Sequence, residues 1–104
     1  MIYVVQEVLG KNILPATEFG EIEVLLPPGQ IAFDSGPSIA KLYHKLRDIT
    51  SEDYLLLIGD PAAIALAAII ASETTNGKLK FLKWDREYKK YFAISIDMKG
   101  AQDA

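Results

Sequence analysis

The alternation of apolar and polar positions in the first third of the chain predicts three short strands. Ile2–Val8 is rich in β-branched residues, and Glu21–Leu26 alternates apolar side chains with glutamates, which is typical of a strand with one solvated face. Gln30–Phe33 follows the turn signal Pro27-Pro28-Gly29 and predicts a third strand. Leu9–Thr17, which contains a glycine and a proline, is predicted to be a loop.

A change of spacing then predicts the first helix. Pro37 stands near its first position, where proline fits a helix well. The apolar positions that follow recur every three or four residues and form one stripe: Ile39, Leu42, Leu46 and Ile49. His44 lies on the opposite, charged side, so it is predicted to be a solvated surface residue.

The segment from Asp53 to Asp85 predicts a βαβ unit. Tyr54–Ile58 is an unbroken apolar run, as expected for a strand covered on both faces. Gly59-Asp60-Pro61 ends that strand and starts a second helix, which continues to about Thr75. Asn76-Gly77 stops the helix, and Lys78–Trp84 is the next strand.

A charged turn and a last strand, Tyr91–Ile96, complete the order β-β-β-α-β-α-β-β. This order predicts an α/β fold, or alternatively an α+β fold, with a small mixed sheet of about five to six strands and two helices. The two helical crossovers should place three strands parallel, with the N-terminal strands and the C-terminal strand as antiparallel neighbours. We expect residues 1–104 to form one domain and residues 99–104 to be a disordered tail.

Composition excludes several chemistries. The chain has 104 residues, no cysteine and one histidine, which excludes disulfides, thiolate zinc sites and cysteine nucleophiles. The sequence has no glycine-rich phosphate loop and no serine-nucleophile motif. Its net charge of −3 argues against non-specific binding to nucleic acid. The N-terminus lacks a signal pattern, and the longest apolar run is too short to span a membrane. We therefore expect neither a membrane segment nor a resident cofactor.

Three predicted strands run directly into an aspartate, at Asp34, Asp60 and Asp85. If these strands are parallel, the three carboxylates share one edge of the sheet, where they could hold Mg²⁺. The alternative is that each aspartate only begins a turn or a helix. Asp60 in particular stands at the N-cap position, from which its carboxylate could accept hydrogen bonds from the amides of Ala62 and Ala63.

The second helix has no charged residue between Pro61 and Ala71. A helix that is apolar on all sides must be covered on several of them. Three small residues, Ala63, Ala67 and Ala71, form a smooth face that permits close approach. Either the first helix covers this surface or a second copy of the chain does, and we predict a homodimer with these alanines near the contact or packed tightly beneath it.

The charged turn between the last two strands is rich in aromatic residues. Trp84, Arg86, Tyr88 and Tyr91 lie around its tip and form a second candidate interface. Basic residues among aromatic ones can stack bases and hold phosphates, but Asp85 and Glu87 dilute the positive charge. Contact with nucleic acid is therefore the less favoured interpretation of this turn.

The chain also resembles a known group of proteins along nearly its whole length. The segments that carry the resemblance are Ile13-Leu14-Pro15-Ala16, Phe19-Gly20, Gly59-Asp60-Pro61, Asn76-Gly77, Leu82-Lys83-Trp84-Asp85-Arg86, Tyr91 and Ile94-Ser95-Ile96-Asp97. In these the chain is similar to small uncharacterised proteins of tailed bacteriophages, notably marine and cyanobacterial ones. The resemblance implies a protein of phage infection that acts in the host cytoplasm.

Two classes of function stay open at this stage. The first is a non-catalytic module that acts by protein–protein interaction, associates with itself, and binds a host or phage protein. The second is a small binder of a phosphate ligand or nucleotide, or a Mg²⁺-dependent hydrolase, with its carboxylates at the C-terminal edge of the sheet. The lack of cysteine, of a histidine cluster and of a phosphate loop favours the first class.

Overall fold

The computed structural model describes residues 1–30 and 36–103 of the chain. It confirms the predicted α/β fold, a mixed sheet with helices that contains a β-α-β unit. In chain order the elements are β1 (Ile2–Gln6), the 3-10 helix η1 (Leu14–Phe19), β2 (Ile22–Leu26), α1 (Gly36–Leu46), β3 (Tyr54–Leu56), α2 (Pro61–Thr74), β4 (Lys78–Asp85), β5 (Lys90–Asp97) and α3 (Met98–Asp103). The predicted strand Gln30–Phe33 falls mostly on residues 31–35, which lie outside the described residues.

The five strands of the described sheet lie in the order β2-β1-β3-β4-β5. Strands β1 to β4 are parallel, whereas β5 pairs antiparallel with β4, as predicted for the C-terminal strand. The prediction of an antiparallel neighbour at the N-terminus was wrong, because β2 runs parallel to β1. Residues 7–21 connect these two strands and include η1, and a connection of that length permits the crossover that parallel pairing needs.

Each face of the sheet has its own apolar cluster. Helices α1 and α2 cover one face, which we call the helix face, and their buried side chains join those of Tyr3, Val5 and Leu55. The alternate residues of the strands, such as Val4 and Leu56, point to the opposite face, which η1 covers through Ala16. The period of two along β1 therefore sends successive apolar residues to two different cores, and all five residues of β1 are buried.

The βαβ unit agrees closely with its prediction. Helix α2 begins at Pro61, and the amide of Ile64 donates to the carbonyl of Asp60 at 3.0 Å. At its other end the amide of Gly77 donates to the carbonyl of Ser72 at 2.8 Å, which closes the last turn. The strands on both sides of the helix, β3 and β4, are direct neighbours in the sheet.

The alanine face of α2 is not an intermolecular surface. Ala63, Ala67 and Ala71 are fully buried in the helix-face core of the chain's own fold. Their small side chains let α2 lie close to the sheet, so the smooth face predicted as an interface serves packing within one chain. The exposed side of α2 is its opposite face, which includes Ala65 and Ile69, the latter 56% exposed.

The C-terminal residues, predicted to be a disordered tail, include a short helix in the structure. Residues Met98–Asp103 form α3. The amide of Met98 donates to the carbonyl of Gly77 at 3.0 Å, and the amide of Gly100 donates to Asp97 Oδ1 at 2.9 Å. The first of these bonds joins the start of α3 to the residue before β4, and the second is local to the junction of β5 and α3. Within the described residues, none of the helices has the length and apolar character needed to cross a membrane.

Candidate functional site

The carboxyl ends of the parallel strands define the edge of the sheet at which a site is expected. From β1 the chain passes to β2 on one side, whereas from β3 it passes to β4 on the other side. The connections therefore diverge between β1 and β3, and open α/β sheets bind their ligands in the crevice outside such a point. Several clefts lie at this edge, including a first beside residues 6–9 and a second beside residues 10–12.

Gln6, the last residue of β1, holds this edge together. Its side-chain amide group donates to the carbonyl of Pro27 at 2.9 Å and to the carbonyl of Gly29. Its Oε1 accepts a hydrogen bond from the amide of Asp60 at 2.7 Å. Gln6 is only 5% exposed, so one buried amide joins the loop after β2 to the start of α2.

The first cleft lies beyond Gln6 and has a volume of about 420 Å³. Its lining includes Glu7, Leu9, Gly29 and Asp60. Among the described residues that line it, the charged groups are the carboxylates of Glu7 and Asp60, which repel an anion. Its most polar wall, the Gln6 side chain, is already engaged by the surrounding backbone. We therefore assign no ligand to the first cleft, whose main structural feature is the hydrogen-bonded side chain of Gln6.

Asp60 and Asp85, two of the residues predicted to cap a helix or bind a metal, have different local roles in the structure. Asp60 stands at the N-cap position of α2, as predicted, but its carboxylate makes no capping hydrogen bond to the first turn. Its extended backbone and the Gln6 contact hold the helix start instead. Asp85 accepts hydrogen bonds from the amides of Glu87 at 2.9 Å and Tyr88 at 3.3 Å, so it forms the turn of the β4–β5 hairpin.

A magnesium site at these aspartates gains no support from the fold. Asp34 lies outside the described residues. In the part of the chain that the structure describes, no group of three or more carboxylate or histidine side chains is placed to hold a metal ion. Asp60 and Asp85 do share the carboxyl edge of the sheet, since β3 and β4 are parallel.

The second cleft exists because β3 is shorter than β4. Pairing between them ends at Leu56 and Leu82, whereas β4 continues to Asp85. The amide of Leu57 still donates to the carbonyl of Leu82 at 3.1 Å before the chain turns away. The continuation of β4 forms one wall of the space that opens, and residues 10–12 form another. The cleft has a volume of about 470 Å³.

The charged residues that line the second cleft are all cationic. They are Lys11 from the segment after β1, Lys83 from β4 and Arg86 from the hairpin turn. None of the three takes part in an ion pair within the described residues. Because none of the described residues that line the cleft is a carboxylate, its described lining carries positive charge although the net charge of the chain is −3.

An aromatic pair completes this cleft. Trp84 and Tyr91 are directly opposite each other on β4 and β5, and their rings meet edge to face with centroids 4.9 Å apart. Tyr91 is only 7% exposed, and burial raises the pKa of its hydroxyl. Trp84 remains 38% exposed, so one side of its ring system faces the solvent of the cleft.

The four hairpin residues predicted to form an interface, Trp84, Arg86, Tyr88 and Tyr91, differ in burial and in the surface they contribute to. Tyr91 belongs to the core on the η1 side and offers almost no surface to a protein partner. Trp84 and Arg86 line the second cleft, whereas Tyr88 is exposed at the turn beneath the ammonium group of Lys90, which lies 5.9 Å from its ring centroid. The fold thus brings two of the four residues into one concave site.

Sequence reasoning missed the residues that shape this edge. Gln6 has a recognisable signal, because it is the first polar side chain after an apolar β-branched run and stands where a parallel strand ends. Lys11 and Lys83 have no such signal, since each is an ordinary lysine in its local sequence. Only the packing of residues 10–12 beside β4 brings them together.

Comparison with known proteins identifies one relationship. A family model described as phage Pam3 gp32-like protein matches residues 1–98 of the chain. No curated protein and no solved structure matches the chain.

Proposed function

The chain belongs to the phage Pam3 gp32-like protein family, and from that premise we propose that it is a non-catalytic phage protein that acts by protein–protein interaction and forms a homodimer. The proposal includes the host cytoplasm as its place of action, because phage proteins are synthesised there. A host protein or another phage protein is a further partner in this proposal. The outer edge of β5 is the observation that carries it.

The outer edge of β5 is long and uncharged. The strand has eight residues, from Lys90 to Asp97, and is the last strand of the sheet. Between its two charged ends it contains neither a charge, a proline nor a glycine. Proteins protect free edges with such residues or by keeping the edge strand short, and β5 uses neither device. An edge of this kind is suited to pairing with another strand.

The side chains of β5 favour a second copy as the partner. Phe92, Ile94 and Ile96 alternate along the strand and lie on the helix face of the sheet, since Ile94 is opposite Phe81. All three retain solvent exposure. Antiparallel pairing of two β5 strands about a two-fold axis at Ile94 would place Phe92 opposite Ile96 of the second copy. Each such apolar cross-strand pair contributes on the order of 0.5 kcal/mol.

The first test is the mass of the protein in solution. Light scattering coupled to size exclusion should give twice the chain mass of 11.5 kDa at micromolar concentration. Ile94→Lys should yield a folded monomer, because the substitution places two like charges opposite each other on the two-fold axis. Circular dichroism confirms that the variant keeps its fold.

Ile69→Lys is the matched control. It makes the same change on the exposed face of α2, away from the β5 edge. Retention of the dimer in Ile69→Lys, together with its loss in Ile94→Lys, supports pairing through β5. The reverse result would assign the contact to the helix, and a monomeric wild type at high concentration would refute self-association.

A further inference from the structure

The second cleft concentrates positive charge against the overall balance of the chain. The sequence has 11 lysine and arginine residues against 14 aspartate and glutamate residues. Lys11, Lys83 and Arg86 nevertheless line one cleft together, and they come from two separate parts of the chain, the segment after β1 and the β4–β5 hairpin. All three side chains are exposed to solvent, and cations that share a concave surface raise its positive potential and attract anions. Their convergence thus indicates an anionic ligand.

The ring of Trp84 adds a second kind of contact to the same cleft. Its edge-to-face packing against the buried Tyr91 fixes the orientation of the indole. An indole held in this way offers a preorganised platform on which a flat aromatic group can stack. A ligand that combines a phosphate group with a base would therefore use both the cations and the ring.

We propose that the cleft between residues 10–12 and the end of β4 binds a nucleoside monophosphate or a closely similar small molecule. In this site Lys11 and Arg86 contact the phosphate group and Trp84 stacks on the base, whereas Lys83, which lies opposite Phe92 on the other face of β4, adds positive charge at the rim of the cleft. The position agrees with the carboxyl edge of the sheet, where open α/β folds bind small ligands. The site lies on the η1 side of the sheet, so it does not depend on pairing of the helix-face residues of β5.

The size of the cleft favours a small ligand over a nucleic acid strand. A volume of about 470 Å³ lies within the range of roughly 300–1,000 Å³ that is typical of small-molecule sites. A strand that extended beyond the cleft would meet a chain whose net charge is −3, with Asp85 and Glu87 beside Arg86. Proteins that bind single strands instead follow the backbone with an extended positive groove.

Trp84 makes the test direct, because it is the chain's only tryptophan. Titration of the wild type with adenosine 5′-monophosphate should quench its fluorescence to saturation at millimolar ligand or below. Adenosine and inorganic phosphate, titrated separately, should each bind at least about ten-fold more weakly, because each lacks one of the two contacts. Phosphate as tight as the nucleotide would refute the stacking role of Trp84.

Arg86→Gln and Lys90→Gln form a matched pair for the charge contacts. Each removes one positive charge from the same hairpin, but only Arg86 lines the cleft. Arg86→Gln should weaken nucleotide binding about ten-fold, the loss expected for one charge-assisted hydrogen bond, while Lys90→Gln should change it less than about two-fold. Circular dichroism and thermal melting verify that both variants fold.

Three outcomes would overturn the proposal. Absence of quenching by adenosine 5′-monophosphate at millimolar concentration would exclude the ligand class. Equal weakening by Arg86→Gln and Lys90→Gln would indicate diffuse electrostatic attraction without a site. Affinity for single-stranded oligonucleotides that rises steadily with their length would assign the surface to nucleic acid.

Discussion

The backbone of Gly59 passes so close to Gln6 that a Cβ atom added at Gly59 would lie 2.5 Å from the Cβ of Gln6. The same atom would lie 2.7 Å from Gln6 Oε1, the oxygen that accepts the amide hydrogen of Asp60. The two residues are far apart in the sequence, yet Gln6 ends β1 and Gly59 lies in the short connection from β3 to α2, and β1 and β3 are neighbours in the sheet. Because the Gly59 backbone lies so close, the Gln6 side chain can bind both the loop after β2 and the start of α2.

Substitution of Gly59 tests the close approach. Gly59 has a φ of +123°, and Gly29 has a similar φ of +129° with open space around its Cβ position. Gly29→Ala should therefore lower the free energy of unfolding by about 1 kcal/mol, from backbone strain alone. Gly59→Ala should cost about 3 kcal/mol, because the clash with Gln6 adds to the strain. Urea denaturation of both variants measures the difference, and equal losses would show that the contact is unimportant.

Gln6→Glu tests the hydrogen bonds that Gln6 donates. The variant has no N–H groups for the carbonyls of Pro27 and Gly29, so the free energy of unfolding should fall by about 3 kcal/mol at neutral pH. Burial and the facing carbonyl oxygens should raise the pKa of the new carboxyl group above its unfolded value of about 4.3.

The sign of the pH dependence follows from that raised pKa. Because the folded variant binds its proton more tightly than the unfolded chain, its deficit relative to the wild type is smallest below the unfolded pKa. The difference in free energy of unfolding between the wild type and Gln6→Glu grows as the pH rises through the pKa of the folded variant. Urea denaturation of both proteins at several pH values measures this difference, and a deficit independent of pH would contradict the proposed contacts.

Ala67→Glu distinguishes the two faces of α2. Ala67 is fully buried in the helix-face core, so an unpaired carboxylate there should cost more than about 3 kcal/mol and unfold the chain at moderate temperature. Ala65→Glu makes the same change on the exposed face of the helix and should alter the free energy of unfolding by less than about 0.5 kcal/mol. Thermal melting followed by circular dichroism compares them. A stable Ala67→Glu variant would show that α2 packs with another face inward.

The contact between Tyr43 and Glu73 predicts a perturbed tyrosine titration. The Tyr43 hydroxyl donates to Glu73 Oε2 at 2.9 Å and so links α1 to α2. That hydrogen bond, with the negative charge of Glu73, raises the pKa of Tyr43. Because the folded pKa lies above the unfolded one, the contact stabilises the fold below about pH 10, and this contribution is lost as the pH rises through the folded pKa.

Glu73→Gln should lower the pKa of Tyr43 toward its ordinary value of about 10. Ring resonances of labelled tyrosine, followed by NMR from neutral to alkaline pH, measure the shift. The resonances of the other tyrosines should titrate as in the wild type, which provides the internal control. An unchanged midpoint for Tyr43 would show that the hydrogen bond does not persist in solution.

Much of the site lay beyond what sequence could predict. Trp84 and Arg86 were singled out because aromatic and basic residues stand together at the hairpin, and both do line the second cleft. Gln6 and Lys11 were not singled out, because the contacts that give them a role are made with residues far along the chain. The small side chains of the α2 alanines indicate a face that permits close approach, and in the structure these alanines are buried in the helix-face core of the same chain.

The sequence by itself determined the elements whose signals are local. The apolar run of β3, the charge-free α2 and the Asn76-Gly77 stop define the βαβ unit, because strand period, helix period and turn residues are properties of neighbouring positions. The hairpin of β4 and β5 is equally local, since its two strands follow each other directly.

Only the tertiary structure decided how these elements lie beside one another. The parallel pairing of β1 with β2, the inward face of α2 and the cleft left by the short β3 all depend on contacts between distant segments. A period of two or of 3.6 residues shows which side chains share a face, but it carries no information about which element will cover that face. Contacts between distant segments determine which element covers it, and at Gln6 and Gly59 they join the end of β1 to the connection between β3 and α2, which no local pattern links.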